Sequence, residues 1–345
     1  MRLYKQNFSF CWAYLFLFIM IPTSEATPCC NLALQALLST GKSSTNMNLA
    51  YVNNHDDRPL SESADDAPLP ISVFIHGLDS SSHTWGNILS AIAPYSISFA
   101  IDLRGNGKSP LGDPDEFSVN SIVEDLDHLL QTKILVERPV EKVILVGHSM
   151  GARVASCYAA KYPSRIKALI MEDMDIRSRT METNPVPMKY DQIKRFRKKF
   201  ESIENVMDAL LKCGYPVSMV NKWVEDGRVR KETKVESDGA NESYFWTDVN
   251  PEMRWLAYKH IMCTSDGEDA WRTIASSNYP FSCHVMASGI QSQCDEDNLS
   301  LMKEIMKERM ILHRFPKANH SIHRTGEDDY LKILSNIMQS SDKRG

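Results

Sequence analysis

The chain has 345 residues, 43% of them hydrophobic and 24% charged, with a formal net charge of −5. That is the composition of an ordinary globular protein, long enough for one large domain or for one domain with an insertion. The slight acidity leaves no basic footprint for nucleic acid, and the densest basic run, KRFRKK (Lys194 to Lys199), reads as a solvated helix face.

The N-terminus differs from the rest. Arg2 and Lys5 precede the apolar run FSFCWAYLFLFIMI, and PTSEA then leads to Ala26. A basic start, a short apolar run and a small residue predict a secretory signal over residues 1–26, and hence export. The run falls short of the roughly 20 residues of a membrane span. A plastid presequence and an uncleaved N-terminal anchor are the alternatives, the anchor being the one membrane contact expected. Of the eight cysteines, Cys11 lies in this leader. The odd remainder has no zinc-ligand spacing and forms no disulfide framework, though one or two bridges would suit an exported chain.

In chain order, MNLAYVN predicts an edge strand, and the polar, proline-bearing residues 54–69 a surface loop. ISVFIHG is a short apolar run rich in β-branched and aromatic residues, which predicts a buried strand. TWGNILSAIAPY predicts a helix, ISFAID a strand, and SVNSIVEDLDHLLQ a helix capped by Ser118. VEKVILVGHS predicts a strand, MGARVASCYAAKY a helix ending before Pro163, and IKALIMED another strand. This alternation implies βαβ units and a doubly wound, mostly parallel sheet covered on both faces. It stops after Asp175. MKYDQIKRFRKKFESIENVMDALLKC and PVSMVNKWVEDG predict helices, RVRKETKVESDGANES a charged loop, and NPEMRWLAYKHIMC a third helix. Strand–helix order then resumes with SCHVMASG, DNLSLMKEIMKE, MILHRF and DDYLKILSNIMQ. The expected organisation is therefore an α/β core over 47–175 and 270–341, with a helical cap over 176–269.

The chemistry centres on VILVGHSMGARVA, Val143 to Ala155. An apolar strand enters Gly147-His148-Ser149-Met150-Gly151 and a helix follows at once. That is the G-x-S-x-G nucleophile elbow in the strand–turn–helix setting it requires. Such a turn leaves no room for side chains at the glycines. It leaves the Ser149 hydroxyl at a helix N-terminus, where free N–H groups favour a developing anion. His76-Gly77-Leu78 follows the strand ISVFI, and Asp102 to Ser109 reads DLRGNGKS.

These segments together resemble the α/β-hydrolase superfamily, in its capped serine-hydrolase branch, over residues 47–341. HGLDSSSHTWGNI and NHSIH are similar to a group of plant and algal hydrolases of that fold. The resemblance implies that the Leu78 and Met150 N–H groups form the oxyanion hole. It also implies that the base follows the last strand, which selects His320 in PKANHSIH. His323 is expected to be packing or surface, His148 the variable elbow residue, and His76 structural. A serine at the elbow, rather than an aspartate, argues against epoxide and carbon–halogen chemistry.

The acid departs from the family pattern. After the strand HVMASG the family places an aspartate in a G-x-x-D turn, but this chain reads Gly289-Ile290-Gln291-Ser292-Gln293-Cys294. IKALIMED offers another place, at the C-terminal edge where open α/β sheets bind ligands. The family's alternative acid position there corresponds to Asp173. Asp175 and the carboxylates at Asp295, Glu296 and Asp297 remain alternatives. Glu172 should point to the opposite side of the sheet from Asp173.

The expected function is a serine hydrolase without cofactor or metal, an esterase of small or medium acyl substrates acting through an acyl-enzyme. Lactone, amide or C–C hydrolysis, and a ligand-binding or receptor role on the same fold, are the alternatives. The cap aromatics Trp223, Trp246, Trp255 and Tyr258 fit either an apolar pocket or cap packing. The N-x-S sequons at Asn241, Asn298 and Asn319 would matter on a secretory route, and Asn319, beside the base, is expected to be unmodified.

Overall fold

The computed structural model describes residues 46–54, 68–139, 141–186, 188–196, 198–235, 241–279 and 281–340. The leader and Cys11, Cys29 and Cys30 lie outside the described residues. So does the side chain of Asn241. No helix of the described residues is long and apolar enough to cross a membrane.

Seven strands make one sheet. They are β1 (Tyr51–Asn53), β2 (Ile71–Ile75), β3 (Ile97–Ile101), β4 (Val143–His148), β5 (Ile166–Glu172) and, after an insertion that adds β6 (Lys199–Phe200), β7 (Val229–Val235) and β8 (Asn241–Thr247), the strands β9 (Ser282–Ser288) and β10 (Met310–Phe315). The order is β1-β3-β2-β4-β5-β9-β10, with β1 antiparallel at one edge and every other pair parallel. The principal helices are α1 (Gly86–Ile92), α2 (Val119–Leu129), α3 (Met150–Lys161), α4 (Ile203–Lys212), α5 (Val217–Glu225), α6 (Pro251–Ala257), α7 (Asp266–Ser276), α8 (Glu296–Met306) and α9 (Glu327–Gln339).

The central strands are apolar throughout because both faces are covered. Val143 and Leu145 of β4 join the core beneath α2 and α3. Ile144 and Val146, pointing the other way, join Trp85, Ile88, Tyr330 and Leu334 beneath α1 and α9. Burying each such aliphatic side chain contributes about 1.5–3 kcal/mol. Local signals agree with the pattern. Ser118 caps α2 by accepting the Ser121 N–H at 3.1 Å, and the Ser121 hydroxyl oxygen in turn accepts the Ser118 N–H at 3.0 Å.

The DLRGNGKS loop is held as a unit. Asp102 accepts the N–H groups of Ser82 (2.7 Å) and Lys108 (2.9 Å), and the buried Arg104 pairs with Asp125 at 2.6 Å. A Cβ on Gly107 would overlap the Asp102 carboxylate. This motif therefore builds the turn beside the site.

Two local readings are corrected in the insertion between β5 and β9. The expected long helix from Met188 breaks into a turn at Tyr190–Ile193, the short β6 and α4. Arg195 takes a left-handed φ of 61°, and Ser202 caps a new helix through the Asn205 N–H. The run KRFRKK has no apolar period to sustain a helix, whereas Lys199 and Phe200 can pair with Trp246 and Phe245. The expected charged loop is instead a hairpin, β7 against β8, from Val229↔Thr247 to Val235↔Asn241. Its β-branched and aromatic residues suit strands, and its many charges sit on a thin, solvated sheet. The insertion has its own core of Val206, Leu210, Val220, Trp223, Val229 and Val249. Helix α7 spans the expected boundary at 269 and lies close on the chain leaving β5, with a Cβ on Gly267 reaching 2.8 Å from Ile176 O.

Among the described residues Cys157, Cys213, Cys263, Cys283 and Cys294 are free thiols. Asn298 is fully buried, accepting the Ile176 N–H at 3.2 Å, which excludes a glycan in the folded chain. Asn319 is half-buried and its Oδ1 accepts the Ser321 N–H at 3.0 Å.

Candidate active site

Strand β4 runs into Ser149, whose φ of 53° and ψ of −125° place it in the left-handed half of backbone space. An L-residue there is strained by about 1–2 kcal/mol and persists only where neighbours fix it. Here the Ser149 N–H donates to Glu172 O at 2.9 Å, and its own carbonyl accepts the Ala152 N–H at 2.8 Å. The flanking glycines are obligatory. A Cβ on Gly147 would lie 2.4 Å from Gly151 O, and one on Gly151 only 2.3 Å from Ile75 O. Real side chains never come so close to backbone. Gly151→Ala is accordingly expected to cost more than about 3 kcal/mol, read as a collapse of soluble yield or of Tm.

His320 lies in the loop after β10, at the same sheet edge. Its Nδ1 donates to Asp173 Oδ2 at 2.7 Å, which leaves Nε2 as the nitrogen able to accept a proton. The ring is part-exposed, while Asp173 is fully buried. Asp173 is also left-handed (φ 47°), turning its side chain off the end of β5. All four hydrogen bonds to its carboxylate come from donors. Oδ1 accepts Ser288 N–H (2.9 Å) and Ser292 Oγ (2.7 Å), and Oδ2 accepts Gln293 N–H (3.0 Å) as well as His320. Burial alone would raise the Asp173 pKa. The bonds from His320, Gln293, Ser288 and Ser292 outweigh it and hold the carboxyl below its ordinary value.

The serine in GIQSQC thus stands where the family pattern has an aspartate and donates to the carboxylate of the neighbouring strand. Reading the sequence missed this partnership. The available signal was that Ser292 follows Gly289 at the family spacing and carries a hydroxyl.

The alternative acids are engaged elsewhere. Asp175 pairs with the buried Arg153 at 2.7 Å and with Arg179 at 3.5 Å. Asp295 caps α8 and pairs with Arg177 at 2.5 Å, Glu296 pairs with Arg314, and Asp297 is exposed on the first turn of α8.

Ser149 Oγ makes its contact with Met174 Sδ at 3.9 Å, a loose one for a hydroxyl. Nucleophile–base hydrogen bonds commonly tighten only when a substrate is bound. Met150 opens α3, so its N–H is in the helical turn that has no intrahelical acceptor. The Gly77–Leu78 turn presses on the elbow, since a Cβ on Gly77 would lie 3.0 Å from Ser149 Cβ. His76 braces that turn. Its Nε2 accepts the Leu103 N–H at 3.1 Å, so Nδ1 donates to Gly77 O at 2.8 Å, and burial keeps its pKa low.

A second acid–histidine pair lies behind the first, on the opposite side of β5. Glu172, fully buried, accepts both the backbone N–H (3.0 Å) and Nδ1 (2.8 Å) of His323. His323 Nε2 meets Thr84 Oγ1 at 2.9 Å, and its ring packs on Trp85 at 4.5 Å between centroids. So His323 is a buried hydrogen-bond partner of Glu172 as well as a packing residue. His148 Nε2 donates to His320 O at 3.0 Å, fixing the backbone of the candidate base. His148, Glu172 and His323 bring ligand atoms close together; these bonds engage His148 Nε2, Glu172 Oε1 and both His323 nitrogens, while Glu172 Oε2 has no hydrogen-bond partner.

A family model described as alpha/beta hydrolase fold matches residues 72–221. Abhydrolase domain-containing protein abhd-5.2 of Caenorhabditis elegans is 31% identical over 140 residues, covering 41% of this chain and 30% of that protein. Protein phosphatase methylesterase 1 of Candida albicans is 28% identical over 175 residues, covering 49% of this chain and 48% of that protein. The chain thus spans about half or less of the curated relatives it matches. Among solved structures, one described as a marine microorganism esterase superposes with a TM-score of 0.59 at 18% identity, covering 84% of this chain and 99% of that one.

Proposed function

Because the chain belongs to the α/β-hydrolase fold superfamily, we propose that it is a serine hydrolase cleaving esters of small or medium acyl groups. The observation that carries this reading is the buried Asp173 carboxylate held 2.7 Å from His320 Nδ1, at the same sheet edge as a strained Ser149. That arrangement leaves His320 Nε2 to act as the base.

In the proposed reaction His320 Nε2 takes the Ser149 proton as Oγ attacks the ester carbonyl. Asp173 accepts from Nδ1–H and stabilises the imidazolium. The Leu78 and Met150 N–H groups receive the oxyanion. The tetrahedral intermediate collapses to an acyl-Ser149, and His320 gives its proton to the departing alcohol. Water, deprotonated by the same nitrogen, then attacks the acyl-enzyme and releases the acid, restoring Ser149. The insertion over residues 176–269 is proposed to act as the cap that selects the acyl group.

A fluorophosphonate probe tests the assignment. It should label wild-type protein at Ser149 and leave Ser149→Ala unlabelled, with p-nitrophenyl ester hydrolysis lost in parallel. A folded wild-type chain that neither labels nor hydrolyses any ester of a graded acyl series would reject the enzyme reading in favour of a ligand-binding role.

A further inference from the structure

The residue after Leu78 is gripped from three directions by the insertion. Asp79 is buried and left-handed, with a φ of 50°. Its carboxylate accepts the Tyr215 hydroxyl at 2.7 Å and pairs with the Arg254 guanidinium, while its backbone carbonyl accepts from Arg228 Nη2. The three partners come from separate pieces of the insertion. Tyr215 stands between α4 and α5, Arg228 in the turn before β7, and Arg254 on α6. They pack on one another as well. Tyr215 meets Trp223 edge to face at 4.8 Å, Arg228 lies 5.2 Å over the Trp223 ring, and Arg254 lies 5.9 Å over the Tyr215 ring.

Ordinary packing does not require this arrangement. Arg254 and Asp79 are both buried, and taking two charges out of water offsets most of what their attraction gains. The left-handed backbone of Asp79 adds a cost of its own. What the grip achieves is geometric. The strained peptide that it fixes adjoins Leu78, whose N–H must point at the oxyanion within a few tenths of an ångström to stabilise it.

We propose that Asp79 is a positioning residue, and that Tyr215, Arg228 and Arg254 of the insertion hold the oxyanion turn in its working geometry through it. Docking of the insertion and formation of the oxyanion hole are then one event. The inference rests on the serine-hydrolase reading and deepens it: the insertion contributes to transition-state binding as well as walling the pocket.

The test uses full-length wild-type protein and the variants Tyr215→Phe, Arg254→Lys, Asp79→Asn and Asp79→Ala, assayed on p-nitrophenyl acetate and with a trifluoromethyl ketone that forms the tetrahedral adduct. Tyr215→Phe removes one hydroxyl and should keep the fold, as an unchanged Tm verifies. It is expected to lower kcat about tenfold with KM within twofold, and to weaken the ketone by the same factor. Asp79→Asn, which still accepts from Tyr215, should retain more activity than Asp79→Ala. The pH dependence of kcat/KM should be unmoved, because His320 and Asp173 are untouched. Tyr215→Phe and Arg254→Lys that fold and match wild type in both kcat and ketone affinity overturn the proposal. So does a fall in kcat that only tracks the folded fraction. An unlabelled wild-type protein overturns this proposal and the hydrolase reading together, whereas labelled wild type with unaffected variants overturns this one alone.

Discussion

Asp173→Asn should lower kcat by roughly three to four orders of magnitude while leaving the protein folded. The carboxylate meets four donors, from Ser288, Ser292, Gln293 and His320. A carboxamide offers one oxygen and one NH2. If its oxygen faces His320, the NH2 opposes the Ser288 N–H and the Ser292 hydroxyl. If it turns around, the NH2 opposes His320 Nδ1–H, and the ring relieves the clash by moving its proton to Nε2. That tautomer cannot accept from Ser149. Asp297→Asn, on an exposed helix turn, should be within twofold of wild type. Asp175→Asn leaves Arg153 unpaired and buried, and should cost about 3–5 kcal/mol of stability with a normal rate per folded molecule. Ester hydrolysis with a Tm for each variant separates the three, and a collapse in Asp297→Asn with Asp173→Asn unaffected would reverse the assignment.

The same geometry makes a reciprocal prediction. Ser292 Oγ is 2.7 Å from the Asp173 carboxylate, so a carboxylate at 292 starts close to the lost charge. Ser292→Asp in the Asp173→Asn background should recover at least tenfold of the missing kcat. Ser292→Ala alone removes one bond to a buried carboxylate, about 1.5–3 kcal/mol, and should lower kcat modestly.

These side chains also mark where the sequence stops being informative. The strands β2 to β5 and the elbow are legible because apolar runs, glycines and their spacing are local properties. Gly151 can be read as obligatory before its 2.3 Å approach to Ile75 O is seen. The opposite orientation of Glu172 and Asp173 is what strand alternation predicts, and Glu172 does face His323 while Asp173 faces His320, although Asp173 reaches its side through a left-handed φ of 47° just past the end of β5. The hairpin of β7 and β8 is not legible, because its charges match a loop and its stability comes from pairing across 241–247. Nor is the partnership of Ser292 with Asp173, separated by 119 residues. Asp79 is the extreme case. It reads as a polar residue in a turn, and its meaning lies in Tyr215, Arg228 and Arg254, which only the folded insertion brings to it.

Folded stability should fall steeply between pH 6.5 and pH 3, through His148 and Glu172 behind the proposed base. His148 is buried, and burial lowers its pKa from 6.5 to about 3 although the Glu172 charge pulls the other way. The unfolded chain takes up this proton near 6.5, the folded one only near 3. In that window the unfolded state binds more protons, so stability that is fully present above 6.5 is lost as the pH drops. Glu172 acts in the same sense. Burial would raise its pKa, but the charge and hydrogen bonds of His323, with help from His148, bring it down from 4.5 to about 2. Its contribution is present above 4.5 and is lost as the pH falls toward 2. The two effects overlap because each group acts on the other, and together they amount to a loss on the order of 5 kcal/mol. Thermal unfolding from pH 7 to pH 3 should show it, and His148→Asn, which keeps an amide donor for His320 O but cannot titrate, should flatten the upper part of the curve. A slope unchanged in that variant would place the acid sensitivity elsewhere. The acid proton goes to His148 Nδ1 and leaves the Nε2–H bond to the His320 carbonyl in place, so the loss is one of global stability and the backbone of the proposed base stays held until the chain unfolds.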